Sequence, residues 1–125
     1  VTARHPKPEH PERLRSAWRA EIHRALHARA DRRASDEWRH LERAHILSQP
    51  ITIAHVRTHA YMLGYAIRHR EPRELIGQLI RIMAAAPGSA TGRYPLGNTG
   101  GSDVSAFKPI PIPHDLVPLV TPAGK

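Results

Sequence analysis

Apolar residues recur at helical spacing in four successive stretches of this chain, and the connections between them are short; no other feature restricts the fold as much. In the first stretch Leu14, Trp18, Ile22, Ala25 and Leu26 share one face of a helix predicted from Pro11 to Ala30, with Pro11 in the first turn, where no intrahelical N–H is needed. Ser35, followed by Asp36 and Glu37, reads as an N-cap with acids in the first turn and opens a second predicted helix from about Asp36 to Leu47, ended by Gln49 and Pro50. A third is predicted from about Ile51 to His69. A fourth runs from about Pro72 to Ala86, opened by Pro72 and closed by "PGS". Helices connected so closely pack as antiparallel neighbours, so the expected fold is all-α, a four-helix up-and-down bundle.

The two ends have a different character. Residues 1–10, with "RHPKPEH", read as an extended leader. Residues 88–125 hold six Pro and six Gly and show no helical or strand period. Tyr94, Leu96, Phe107, Ile110, Ile112, Leu116, Val117 and Leu119 would expose a large apolar area if this segment hung free, so an extended Pro/Gly-rich C-terminal tail packed on the bundle is expected, with polyproline geometry at Pro109, Pro111 and Pro113. The predicted organisation is therefore a leader (1–10), a helical bundle (11–87) and an irregular tail (88–125) within one domain. "YPLGNTGG", Tyr94 to Gly101, follows no predicted strand and opens no helix, which excludes a Walker loop and a dinucleotide fingerprint. It reads as a structural turn, with a lid over a substrate as the alternative.

Composition removes several chemistries. Without cysteine there is no disulfide, thiolate zinc finger, iron–sulfur cluster or thiol nucleophile, and His, Asp, Glu and Met remain as metal ligands. No apolar run reaches the roughly 18–20 residues of a membrane span, and the N-terminal stretch lacks the apolar core of a signal peptide, so a cytoplasmic protein is expected. The net charge of +8 rests on 16 Arg and 3 Lys, which keeps an acidic partner such as nucleic acid in view. The arginines are spread over all the helices without a dense basic block, and a solvated Arg-rich surface is the first reading. The rival is an Arg-rich nucleic-acid or protein-interaction module, built on a face such as Arg15, Arg19, Arg29, Arg33 and Arg39, with a buried His network and no metal.

The functional signal lies in Glu42 to Leu63, "ERAHILSQPITIAHVRTHAYML". Leu41, Ala44 and Ser48 define the inward face of helix two; His45 falls within that arc and Glu42 at its edge, in the E-x-x-H pattern of bundle metalloproteins. On helix three His55, His59, Met62 and Ala66 form an inward stripe, and an H-x-x-x-H pair can chelate one ion; the Glu of the metalloprotease H-E-x-x-H is missing, which argues against a protease. At about 1.5 Å per residue from the hairpin turn, His45 lies about 4–5 Å deep and His55 about 6 Å, and Glu42 and His59 about 9 and 12 Å. Four ligands to one metal ion are therefore predicted: Glu42, His45, His55 and His59. Zinc, iron or manganese suits this set better than copper, towards which Met62 would soften it; Met62 itself reads as core.

Helix four adds Glu74 and Gln78 along one edge of a core row of Leu75, Leu79, Ile82 and Ala86. An inward Glu74 would supply a second carboxylate, but a single E-x-x-H points to one ion rather than a di-metal centre. The competing reading makes His45, His55 and His59 neutral core histidines bonded to carbonyls, Tyr61, Tyr65 or Gln49. His23 and His27 fall away from the apolar stripe, and His5, His10, His40, His69 and His114 form no pattern. No second acid/base pair specifies a reaction, so the sequence leaves open whether the protein is an enzyme.

The blocks "LERAHILSQP", "HVRTHAYML", "GQLIRI", "PLGNTGGSDVS" and "PIPIPHDL" together resemble a small bacterial family known only as a domain of unknown function. The resemblance spans about residues 35–118. It implies one all-helical domain with an extended C-terminal tail, and it implies no activity and no functional residue.

Overall fold

The computed structural model describes residues 4–105 and 108–121. Among the described residues five helices follow in order: α1 (Pro11–Ala30), α2 (Ala34–Ser48), α3 (Thr52–Arg68), α4 (Pro72–Thr91) and the single turn α5 (Val117–Val120). Among the described residues there is no strand, only an isolated bridge between Arg4 and Arg93, so the fold is all-helical. The bounds of α1 match the apolar period. Ser35, expected to cap the second helix, lies inside it; Arg33 stands at the N-cap and makes no side-chain cap bond. The larger difference is at α4, which continues through Pro87 and Gly88 to Thr91 instead of stopping at Ala86. Proline removes one N–H, the partner of the carbonyl four residues earlier. That residue is Met83, 80% exposed, on the side of the helix where water replaces the lost bond. The helix closes at Gly92, left-handed at φ 69°, with Arg93 N–H returning to the Gly88 carbonyl at 2.8 Å.

Consecutive helices pack on one another, α1 on α2, α2 on α3 and α3 on α4, and α5 rests on α1 and α2. The apolar core is built by α1 (Leu14, Trp18, Ile22, Ala25), α2 (Leu41, Ala44, Ile46, Leu47), α3 (Ala54, Met62, Tyr65) and Leu116 of the tail. Burying a large apolar side chain of this kind contributes about 1.5–3 kcal/mol. Leu26, expected in the α1 stripe, is 41% exposed, and Ala28 is buried in its place. No residue of α4 joins this core. The buried residues of α4 are Glu74, Gln78, Ala85 and Ser89, whereas Leu79 of the expected core row is half exposed. The helix has turned its polar row inwards. Two faces of α3 thus meet different surroundings: Met62 and Tyr65 enter the apolar core, and His55 and His59 lie on the side of α4.

The described segments before α1 and after α4 are tied to this frame. Leu116 and Tyr94 are buried, and Ile112, Leu119 and Val120 pack against the core; Phe107 lies outside the described residues. The leader is pinned where His5 N–H donates to Gly92 O at 2.7 Å and His5 Nε2 to Tyr94 O at 3.0 Å. Past Pro113 the chain turns helical, with Leu119 N–H returning to Leu116 O at 3.0 Å.

A polar clamp joins α1, α2 and the tail. Glu21 is only 3% exposed, and its carboxylate takes Arg43 Nε at 3.0 Å and lies 2.7 Å from His40 Nδ1, while the Arg43 guanidinium also pairs with Asp115. Arg43→Ala should cost about 2–3 kcal/mol, because it removes the more enclosed of the two arginines on the buried Glu21 carboxylate and leaves Arg24, 3.1 Å away and 59% exposed, as the other. Asp115→Ala removes an exposed partner and should cost less than about 1 kcal/mol. Chemical denaturation of both variants checks the ordering; equal losses would show that the clamp depends on the tail rather than on the buried acid.

Candidate metal centre

His45 comes from the last turn of α2, and His55 and His59 from the first two turns of α3. The tight connection at Gln49–Pro50–Ile51 folds one helix end back on the other, so the three rings meet with centroids 4.6–5.0 Å apart. Their Nε2 atoms point at one another. His45 Nε2 lies 3.0 Å from His55 Nε2 and 3.1 Å from His59 Nε2. All three side chains are buried, at 3%, 6% and 2% exposure.

The opposite ring nitrogens determine where the protons sit. His45 Nδ1 is 2.6 Å from the Asn98 carbonyl oxygen, which can only accept, so Nδ1 carries the proton. His59 Nδ1 is 2.6 Å from Gln78 Oε1. The orientation of that amide is set by its Nε2, which donates to Glu74 Oε1 at 2.6 Å and to Gly100 O at 2.9 Å, and so His59 also donates from Nδ1. His55 Nδ1 is 2.5 Å from Ser89 Oγ, whose own proton goes to Gln49 O at 2.5 Å, and His55 therefore donates as well. A neutral imidazole has one N–H. With all three protons on Nδ1, three Nε2 lone pairs converge and the short N···N contacts hold no hydrogen between them.

Burial opposes relief by protonation. It pushes the His45 imidazole well below its ordinary range, with His55 and His59 adding repulsion, and it holds His55 to about 3 and His59 to about 4. A cation other than a proton meets the demand. An ion bound tetrahedrally at about 2.0–2.1 Å to each nitrogen separates the nitrogens by roughly 3.3 Å, so His45 needs to draw back from each partner by only a few tenths of an ångström, while the three ligand atoms, which lie within 4.8 Å of one another, close on the ion.

Of the four ligands expected from the sequence, the structure brings three together: the ligand atoms of His45, His55 and His59 lie within 4.8 Å of one another, and Glu42 is not in that group. Glu42 is hydrogen-bonded to Thr99, and its pKa is raised by burial and by the nearby Asp103 and Glu74. The reason is the glycine loop, which lies directly on His45; a Cβ on Gly100 would come within 2.5 Å of the imidazole. Glu42, on the neighbouring row of α2, therefore meets the loop instead of the ring cluster. Glu74 is inward, but its carboxylate is occupied by Ser102 N and Oγ and by Gln78. Met62 belongs to the apolar core. Of the residues in the rival Arg face, Arg33 and Arg39 pair with Asp36, and Arg15, Arg19 and Arg29 are exposed. His23 and His27 are exposed.

Three groups around the cluster were not expected. Ser89 falls eleven residues, three helical turns, after Gln78, so the spacing was present but useful only if α4 continued past Pro87. Asn98 contributes through its backbone carbonyl, which no residue pattern reports. Its side chain fixes the loop by donating to Ser105 O and Lys108 O at 2.8 and 2.7 Å while accepting from Gly100 N at 2.9 Å. Gln49 braces the same loop from α2, donating to Pro95 O at 2.8 Å and accepting from Gly97 N at 3.2 Å. The loop is a fixed part of the site.

The arrangement defines a class, an all-helical protein with a buried three-imidazole cluster between two helical hairpin arms and a glycine loop. Residues 12–120 match the family model described as protein of unknown function (DUF3703), and the chain belongs to that family. The match takes in α1, which lies before the sequence blocks that first suggested the family. No curated protein and no solved structure matches the chain. Among the described residues no helix is long and apolar enough to cross a membrane.

In the unfolded chain these imidazoles titrate near 6.5, whereas the fold holds them lower. As pH falls through 6.5 the unfolded chain takes up protons that the native state refuses, so native stability declines, by up to about 1.4 kcal/mol per pH unit for each histidine. Metal-free protein should therefore lose melting temperature steadily between pH 7 and pH 5, and His55→Gln should show a shallower loss. A melting temperature that is level over that range would contradict the burial and tautomers described.

Proposed function

We propose that this protein binds a single metal ion through Nε2 of His45, His55 and His59. One observation carries the reading: each Nδ1 is held by an oxygen that accepts its proton, which leaves three buried Nε2 lone pairs converging with no hydrogen to share. A hydrogen-bonded histidine network would need a proton on at least one Nε2, and the Nδ1 partners leave only the imidazolium, which burial opposes. The proposal takes the chain as an up-and-down series of four helices with the Pro/Gly-rich segment laid against it; the helix neighbours and the bonds from Gln49 and Gln78 to the glycine loop support this.

Three neutral imidazoles suit zinc first, with iron or manganese next; copper is less favoured because Met62 is committed to the apolar core. The second-layer groups resemble those of functional metal sites, where the distal ring nitrogen is bonded to fix tautomer and direction. Three protein ligands leave a fourth position for an exchangeable ligand, the arrangement of reactive zinc sites rather than of closed structural ones.

Added zinc should raise the melting temperature, with about 2.7 kcal/mol of stabilisation at a hundredfold excess over the dissociation constant. His55→Ala should abolish the increment while leaving a helical protein, and His23→Gln with His27→Gln should retain it. Gln78→Leu should weaken zinc binding about 10- to 100-fold through loss of the His59 partner, whereas Glu42→Gln should change it little. Calorimetric melts in chelator and in each metal test this; a wild-type curve indifferent to zinc, iron, manganese and copper would end the metal reading.

A further inference from the structure

The histidine cluster forms one wall of a cavity of about 170 Å³. Its other lining residues include Arg81, Ala84 and Ala85 of α4 and Arg93, Tyr94 and Pro95 of the segment after it; Arg81 is the less exposed of the two arginines. The cavity is well below the roughly 300–1,000 Å³ of sites that take drug-sized ligands, so it selects a small species. Arg81 distinguishes it. One arm of the guanidinium is used, Nη2 donating to Val104 O at 2.7 Å, but Nε is buried and, among the described residues, meets no acceptor. No carboxylate is paired with Arg81 among the described residues: Glu74 and Asp103 act on it only through space, and Glu74 is already taken by Ser102 and Gln78.

Charge completes the argument, and this step rests on the metal reading above. Three neutral imidazoles leave the full charge of a divalent ion in place, Arg81 adds a further positive charge on the same small cavity, and the carboxylates that offset Arg81, Glu74 and Asp103, act on it only through space. Buried positive charge that no anion touches directly is costly, even with carboxylates in the neighbourhood. An anion that reached the fourth position of the ion would relieve it, and one with two or more oxygens could also accept from the Arg81 guanidinium on the cavity lining, in the way planar and tetrahedral oxyanions engage arginine.

We infer that the cavity beside His45, His55 and His59 is a binding site for a small oxyanion, which gives one oxygen to the ion and accepts a hydrogen bond from Arg81. The class comprises carboxylates, carbonate and phosphate small enough for the cavity. Arg81 acts as a ligand-binding residue and not as a ligand to the metal.

The test uses full-length protein loaded with cobalt(II), whose visible spectrum reports changes at the fourth position. Metal content is measured first, by equilibrium dialysis without added anion. Formate, acetate, bicarbonate, inorganic phosphate and benzoate are then titrated separately into wild type, Arg81→Gln, Arg81→Lys and the remote control Arg73→Gln. The expected result is saturable spectral change with at least one small oxyanion and weaker binding of benzoate. Affinity should fall tenfold or more in Arg81→Gln and at least threefold in Arg81→Lys, with cobalt retained, and should be unchanged in Arg73→Gln. Should the Gln variant fail to fold, the Lys variant decides, since it keeps the charge and loses the fork. Cobalt bound with no spectral response to any oxyanion, or equal affinity in the Arg81 variants, would overturn the oxyanion site while leaving the metal site standing. Failure to bind cobalt at all would remove both, and the dialysis step identifies that case before any anion is added.

Discussion

Each of the three buried imidazoles is held at Nδ1 by an oxygen with no proton to give back, and the organisation of half the molecule follows from supplying those oxygens. The Asn98 carbonyl must be brought over His45, Gln78 must be turned towards His59, and Ser89 must reach His55. Each supplier is itself constrained: Asn98 by its bonds to Ser105, Lys108 and Gly100, Gln78 by Glu74 and Gly100, Ser89 by the Gln49 carbonyl. The layer is satisfied group by group, which is the condition under which a buried polar network specifies a structure instead of destabilising it. Glu74 also extends the His59 chain by one link, from carboxylate to amide to imidazole, an arrangement that makes the far nitrogen a better electron donor.

This layer explains why the interior is divided. Hydrophobic burial holds α1, α2 and one face of α3 together around Leu14, Leu41, Leu47 and Met62. On the other side of α3 the contact with α4 is polar, and the geometry that satisfies it turns Gln78 and Ser89 inwards and leaves Leu79 and Ile80 exposed. The glycine loop is the third wall. Gly97 and Gly100 both have positive φ, at 78° and 83°, and a side chain on Gly100 would strike the His45 ring. Glycine is thus required at position 100 twice, for backbone conformation and for close approach to a side chain of the site.

The sequence was most legible where a single period governs burial. The α1 boundaries follow from its apolar spacing, and the inward placement of His45, His55 and His59 follows from their positions relative to Leu41, Ala44, Met62 and Ala66. It was least legible on α4. There the apolar row Leu75, Leu79, Ile82, Ala86 suggested a core face, but the choice between rows is made by tertiary hydrogen bonds to Gln78 and Ser89, which no local preference encodes. Pro87 compounded this, because a proline whose lost bond faces water does not end a helix. Glu42 shows the same limit: its spacing from His45 permits a shared ion, and the loop that separates it from the cluster lies more than fifty residues away in the chain.

The central claim is that the three histidines act together through Nε2 with their protons on Nδ1, and nitrogen-15 spectroscopy of the imidazole side chains tests it most directly. On titration with one equivalent of zinc, the Nε2 resonances of His45, His55 and His59 should move together into the range of metal-bound nitrogen while each Nδ1 stays protonated, and those of His23 and His27 should not respond. A response confined to two of the three, or a metal-bound Nδ1 at any of them, would contradict the account.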